Sequence, residues 1–243
     1  MSRRRPRWPL SPRLLGHHLR EARWWMLDYV YAGIGQTRAF FSRARPADFR
    51  SGAKAPIVII PGVYESWQFM RPLIQILHGH GHPVHVVAAL GRNRRSLKDA
   101  AATVAAYLER ANLTDVIIVA HSKGGLIGKL LMTTADPDNR VRAMAAINTP
   151  FAGSRYARYW VVPSIRAFAP ANVTLHGLGL DHRVNDRITS IYGVFDPHIP
   201  EGSDLIGAHN IELPVGGHFR ILGDPRTARA VLDAVTDAAA PVT

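Results

Sequence analysis

From Ala55 onward, short continuous apolar runs alternate with stretches whose apolar residues recur every three to four positions, the signature of a parallel α/β sheet. Ile57-Val58-Ile59-Ile60 is a β-prone run stopped by Pro61-Gly62, and Val84-His85-Val86-Val87-Ala88 is the next. Val116-Ile117-Ile118-Val119-Ala120 is apolar throughout, as expected of a strand covered on both faces. Val141–Ile147, Ile188–Val194 and the shorter Asn210–Leu213 complete the set. Between them, Ser96 with Asp99 makes a capping-box-like start for a helix carrying Leu97, Ala101, Val104, Leu108 and Ala111 on one face. A second helix is expected over Lys123–Thr134, ended near Pro137. A third is expected over Asp224–Ala239, with Ala228, Val231, Leu232 and Val235 on one side. The pattern predicts an α/β fold with a mainly parallel six-stranded sheet flanked by helices. Residues 149–187 are irregular, and periodicity leaves open whether they form a small cap or a loop. No internal repeat is present.

Residues 1–54 read differently. A helix is expected around His18–Phe41, broken at Pro46, which divides the chain into a basic aromatic N-terminal arm (1–54) and a main domain (55–243). The formal net charge of +12 is concentrated there: the arm holds 12 Lys+Arg against 3 Asp+Glu, a net +9, whereas residues 55–243 hold 18 against 15. With Trp8, Trp24, Trp25, Tyr29 and Tyr31, such an arm suits an anionic lipid surface. It could also meet nucleic-acid phosphates, a partner not expected of a nearly balanced main domain. The plain alternative is a solvated tail followed by a helix packed on the domain. The best apolar run, Trp24 to Ile34, contains Asp28 and falls short of the roughly 20 residues a membrane span needs. Neither an uncharged apolar stretch nor a small-residue cleavage site follows Arg3-Arg4-Arg5, so export is not supported. A cytoplasmic location with peripheral membrane contact is the expectation. The absence of cysteine excludes disulfides, thiolate metal sites and a cysteine nucleophile.

Candidate chemistry gathers where the runs end. Ala120-His121-Ser122-Lys123-Gly124-Gly125 lies between the most apolar run and a helix, so Ser122 falls on a tight strand-to-helix turn that pushes its hydroxyl above the sheet edge. The alternative is an N-cap serine followed by a packing Gly-Gly pair. A nucleophilic serine needs a base, and the base an orienting carboxylate. Of twelve histidines, His218 follows the last run and precedes the terminal helix, and Asp196 lies just past the preceding run. Both would reach the edge that carries Ser122. His121, His198 and His209 are rival bases, with His121 expected to point away along the strand; Asp181, Asp186 and Asp204 are rival carboxylates. Two backbone donors are needed for an oxyanion: the Lys123 amide, and one from Pro61-Gly62-Val63-Tyr64, taken as Val63. His78-Gly79-His80-Gly81-His82 reads as a frayed helix end capped at Gly81 rather than a metal site, and Arg92-Asn93-Arg94-Arg95 as a solvated loop.

Ile57–Tyr64, Val116–Gly125, Asn148-Thr149-Pro150, and Thr189 through Asp196 to Gly216-Gly217-His218 together resemble the bacterial lipase/esterase branch of the α/β-hydrolase superfamily, especially small lipases with a minimal six-stranded sheet. The resemblance covers roughly residues 55–238 and leaves the arm outside. It implies a Ser–Asp–His triad in the order Ser122, Asp196, His218, ester or lipid substrates, no cofactor and no metal, with a non-catalytic or acyl-transferring protein on the same fold as the alternative. Three departures bear on substrate choice: Pro61 stands where many members have histidine, Lys123 where methionine is common, and residues 150–187 are longer than in the minimal lipases. A sheet reduced in this way leaves one edge open, so part of residues 18–41 is expected to pack near that edge or on a flanking face.

Overall fold

In a computed structural model of the protein, which describes residues 12–159, 163–166 and 168–239, the six runs form one sheet. Its strands are β1 (Ile57–Ile60), β2 (Val84–Val86), β3 (Val116–His121), β4 (Val141–Ile147), β5 (Ile188–Phe195) and β6 (His209–Gly216). They lie in the order β2-β1-β3-β4-β5-β6, and every neighbouring pair is parallel. The last strand runs past Leu213 to Gly216, although Pro214 interrupts its sequence. β6 is an edge strand, where a missing N–H costs no ladder bond.

Parallel strands joined by helices put helices on both faces, so each face needs apolar cover. Along β1 and β3 alternate residues separate accordingly. Val58, Ile60, Ile118 and Ala120 pack with Val104 and Leu108 of α3 (Leu97–Arg110) and Leu126 and Ile127 of α4 (Lys123–Leu130). Ile57, Ile59, Ile117 and Val119 pack with Leu73 and Leu77 of α2 (Arg71–Gly79) and Val231 and Val235 of α7 (Pro225–Ala239). Ser96 caps α3 as its sequence suggests, its hydroxyl accepting the Asp99 N–H at 3.1 Å. The histidine-rich segment ends α2. Gly81 has φ +90°, and the rings of His80 and His82 bond the backbone carbonyls of Ile76 and Ala55.

The irregular stretch after β4 contains a turn at Arg155–Tyr159 and two short helices, α5 (Pro163–Arg166) and α6 (Val173–Leu180). Phe151, Phe168, Leu175 and Leu178 bury against the α3–α4 side of the core, making this stretch a packed cap. Trp160, Val161 and Val162 lie outside the described residues, as do Trp8 and the Arg3–Arg5 run.

The helix of the arm, α1 (Pro12–Phe40), starts earlier than expected and lies over the C-terminal end of the edge strand. Trp24 stacks on Phe195 and packs against Gly216, Tyr31 abuts Gly223, and Asp28 is wholly buried. No helix among the described residues is long and apolar enough to cross a membrane.

Lys129 of α4 is fully buried, and its ammonium has no hydrogen-bond partner among the described residues. Burial pulls it from the usual lysine range down to about 8, only partly opposed by Asp181. Between about 8 and the unfolded lysine value near 10.5 the unfolded chain holds more protons than the folded one, so stability rises with pH across that window. Lys129→Met, which keeps the volume and removes the charge, is expected to stabilise the protein at pH 7 by on the order of 1–3 kcal/mol. Urea denaturation at pH 7 and pH 10 checks this, because the advantage should shrink at the higher pH.

Candidate active site

Ser122 follows β3 with φ +52° and ψ −121°, a conformation an L-residue adopts only when its surroundings force it. The surroundings are Gly124 and Gly125. A Cβ on Gly124 would collide with the Ile60 carbonyl oxygen, and one on Gly125 with the Thr149 side chain. The start of α4 is therefore seated against the ends of β1 and β4 as only glycine allows, and the serine is turned up at the sheet edge.

His218 and Asp196 come to the same edge. His218 Nε2 lies 3.0 Å from Ser122 Oγ, and its Nδ1 lies 2.7 Å from Asp196 Oδ2. The other Asp196 oxygen accepts the backbone N–H groups of His198 at 2.8 Å and Ile199 at 3.1 Å. Burial works against charge on both partners. On His218 it is outweighed by the Asp196 carboxylate, through charge and hydrogen bond, with smaller contributions from Glu65 and Asp28, so the imidazole is held above its ordinary value. On Asp196 the His218 charge and hydrogen bond and the His198 N–H overcome burial and hold the carboxyl below its ordinary range. This fixes the tautomer: the proton on Nδ1 faces Asp196, leaving Nε2 free to accept from Ser122.

The loop carrying His218 is held mainly by its backbone. The His218 carbonyl accepts from His121 Nε2 at 3.0 Å and from Asn148 Nδ2 at 3.3 Å, and the Gly217 carbonyl accepts from Asn148 at 3.1 Å. The next two amides, of Phe219 and Arg220, both donate to Asp28 Oδ1, at 2.7 and 2.8 Å. Gly217, at φ +118°, meets the Asp28 side chain where a Cβ would stand. Helix α1 thus carries a buried carboxylate beneath the loop that presents the imidazole.

His121 does not point away. Its ring is buried with its centroid 4.9 Å from that of His218, because a residue at the end of β3 points to the sheet face opposite its neighbours and here reaches the His218 loop. Its Nε2 must donate to the His218 carbonyl, and its Nδ1 lies 2.8 Å from the Glu65 carboxyl group. Glu65 also accepts the Gly62 N–H at 2.8 Å, so one carboxyl group links the loop after β1 to the residue before Ser122.

That loop is pinned on both sides of Val63. The Gly62 N–H goes to Glu65, the Tyr64 N–H to the Arg92 carbonyl at 2.8 Å, and the Pro61 carbonyl accepts from Asn93 Nδ2 at 2.7 Å. Arg92, Arg94 and Arg95 are exposed, as expected of a solvated stretch, while Asn93 is fully buried and braces the Val63 loop. Lys123 joins it: its ammonium donates to the Asn93 and Arg95 carbonyls, and burial pulls it down to about 8.

Ser122, His218 and Val63 line a cavity of about 300 Å³, walled by Phe69, Ala157, Ile165, Phe168 and Phe219. His198 lines it too; burial, then repulsion from His218, lowers it to about 4, and its Nε2 has no partner among the described residues. Its ring lies 5.1 Å from that of His218 and makes no bond to Ser122. The rival carboxylate Asp181 pairs with Arg183. Asp28, Glu65, Asn148 and Asn93 escaped the sequence reading. The signal for Asp28 was a carboxylate inside an otherwise apolar helical run, and for Asn148 a polar residue closing a buried strand. No group of three or more metal-ligating side chains occurs among the described residues.

No protein-family model matches the sequence, and no curated protein matches it. Solved structures do match in fold. The mature form of the Bacillus licheniformis lipase BlEst2 is 17% identical with a TM-score of 0.61, over 75% of this chain and 92% of that one. Mouse alpha/beta hydrolase domain-containing protein 10 is 16% identical with a TM-score of 0.55, over 76% and 90%. A hydrolase from Oleispira antarctica is 13% identical with a TM-score of 0.54, over 78% and 96%. The chain has the α/β-hydrolase fold.

Because charge from Asp196 is the largest influence raising His218, Asp196→Asn should lower the imidazole titration, with burial then far less opposed. Asp28→Asn should move it in the same direction by less. Imidazole NMR titration of the two variants checks the ordering. Asp28→Ala, which leaves two N–H groups under α1 without an acceptor, should cost on the order of 1–3 kcal/mol of stability in urea.

Proposed function

We propose that the protein is a serine hydrolase of carboxylic esters, with acyl chains of lipid type as the favoured acyl group. The observation that carries this reading is the unbroken hydrogen-bonded line from Ser122 Oγ through the His218 ring to Asp196, at 3.0 and 2.7 Å, opening on a cavity with apolar walls. The left-handed backbone at Ser122 and the orientation of the imidazole by Asp196 support it further.

In this mechanism Ser122 Oγ attacks the ester carbonyl carbon while its proton passes to His218 Nε2. Asp196 holds the ring and stabilises the imidazolium without taking the proton. The carbonyl oxygen, now an oxyanion, is received by the backbone amides of Val63 and Lys123. Collapse of the tetrahedral intermediate breaks the C–O bond to the alcohol, which leaves with the proton from His218 Nε2. Water then attacks the acyl-serine, giving a proton to His218; the acid departs and Ser122 regains its proton. The bracing of the loop on both sides of Val63 suits an oxyanion donor, since a preorganised amide need not reorganise as charge develops. The phenylalanine-walled cavity favours an aliphatic acyl chain over acetate.

A fluorophosphonate probe should label Ser122, and Ser122→Ala should lower p-nitrophenyl ester turnover by about 10⁴–10⁶. Unlabelled folded protein, with turnover unchanged in the variant, overturns the assignment. Since His218 must be neutral to accept the serine proton and is held above 6.5, kcat/KM should fall as pH drops through a midpoint above that value. Turnover against acyl chain length tests the substrate class, with a sharp optimum at acetate counting against lipid esters.

A further inference from the structure

The face of α1 turned away from the domain is built the wrong way round for water. Met26, Val30 and Ile34, spaced four apart and therefore in one row, are 61%, 52% and 48% exposed. Phe40 and Phe41 at the helix end are more exposed still, at 78% and 73%. Arg23 and Arg38 are exposed around this row and Arg43 follows it, while Arg20 lies over the Trp24 ring and Arg45 pairs with Asp48. Asp28, an acidic residue of the described helix, is turned inward and bonds the loop below. The inner face of the same helix is equally committed, through Trp24, Asp28 and Tyr31. A water-facing helix normally keeps one polar side; this one has apolar residues on both, with arginine as its main charge.

The row also leads to the cavity. Tyr29, half exposed on α1, and Tyr156, half exposed on the cap, both line it. Trp25 stacks on Tyr29 at 5.6 Å, and both rings contact His198, which lies against His218. The apolar surface is thus continuous from the outside of α1 to the mouth of the site.

We propose that this outward face of α1 docks the protein on an anionic lipid surface, with the cavity mouth beside the lipid. Three aliphatic side chains entering the headgroup region supply apolar burial, and the surrounding arginines supply attraction to negative headgroups. A second copy of the chain is the poorer occupant, because facing rows would bring Arg23, Arg38 and Arg43 of the two copies together, and the nearby exposed acid, Asp48, is already paired with Arg45. The docking does not depend on the proposed chemistry, and its test is independent of turnover.

The experiment is cosedimentation of the full chain with vesicles of phosphatidylcholine alone and of phosphatidylcholine with phosphatidylglycerol. Wild type should bind the mixed vesicles at least about tenfold more tightly than the neutral ones. Met26→Gln/Val30→Gln/Ile34→Gln should lose at least about tenfold of that affinity, with an unchanged circular dichroism spectrum and unchanged turnover of a dissolved short-chain ester. Failure of wild type to bind mixed vesicles overturns the proposal, as does binding by the triple variant at wild-type strength. A concentration-dependent dimer in sedimentation velocity, abolished by the triple substitution in a protein that ignores vesicles, reassigns the face to self-association. Absence of ester turnover in a wild type that binds vesicles would refute the hydrolase reading and leave the docking standing.

Discussion

Hydrogen bonds to the main chain at residues 217–220 are the constraint on which the site rests. An imidazole placed on a loop is a poor base unless the loop has one conformation, and loops carry few apolar contacts with which to enforce one. Here polar side chains buried elsewhere supply the restraint. His121 and Asn148 reach the His218 carbonyl from the ends of β3 and β4, and Asp28 takes the two following amides from below. The three side chains are buried, and loss of Asp28 would leave two amides of the loop without an acceptor.

The same economy joins the two halves of the site. Glu65 holds the Gly62 amide in the loop after β1 and the ring of His121 beside the serine, and His121 holds the backbone of His218. The loop after β1 and the loop that carries His218 are therefore joined by three hydrogen bonds through the side chains of Glu65 and His121. On the other flank the Lys123 ammonium donates to the Asn93 and Arg95 carbonyls.

Much of this was legible in the sequence, for identifiable reasons. The β3 run is apolar without alternation because both sheet faces are covered, and Ser122, Asp196 and His218 could be read because each stands at or just past a strand end, where a parallel sheet delivers its side chains to one edge. What escaped were residues whose partners are backbone groups far away in the chain. Asp28 lies in a run of tryptophan, tyrosine and aliphatic residues, where it only argued against a membrane span; Asn93 sits among arginines that suggested solvent. Neither position has a periodicity to betray it, since a hydrogen bond to a distant amide leaves no pattern in its own neighbourhood. Pro214 hid the length of β6 because its tolerance depends on the strand lying at an edge, a property of the assembled sheet.

The bond between Asp28 and the Phe219 amide spans 191 positions. During synthesis the helix that bears Asp28 is made well before the loop it supports. Contacts so distant along the polypeptide are slow to close, and until they do, α1 has apolar residues on both faces and no protein surface to cover the inner one. The order of translation therefore gives this helix an interval in which a bilayer or a chaperone can reach it first. Until that loop docks on Asp28, the His218 ring lacks the support that sets it 3.0 Å from Ser122.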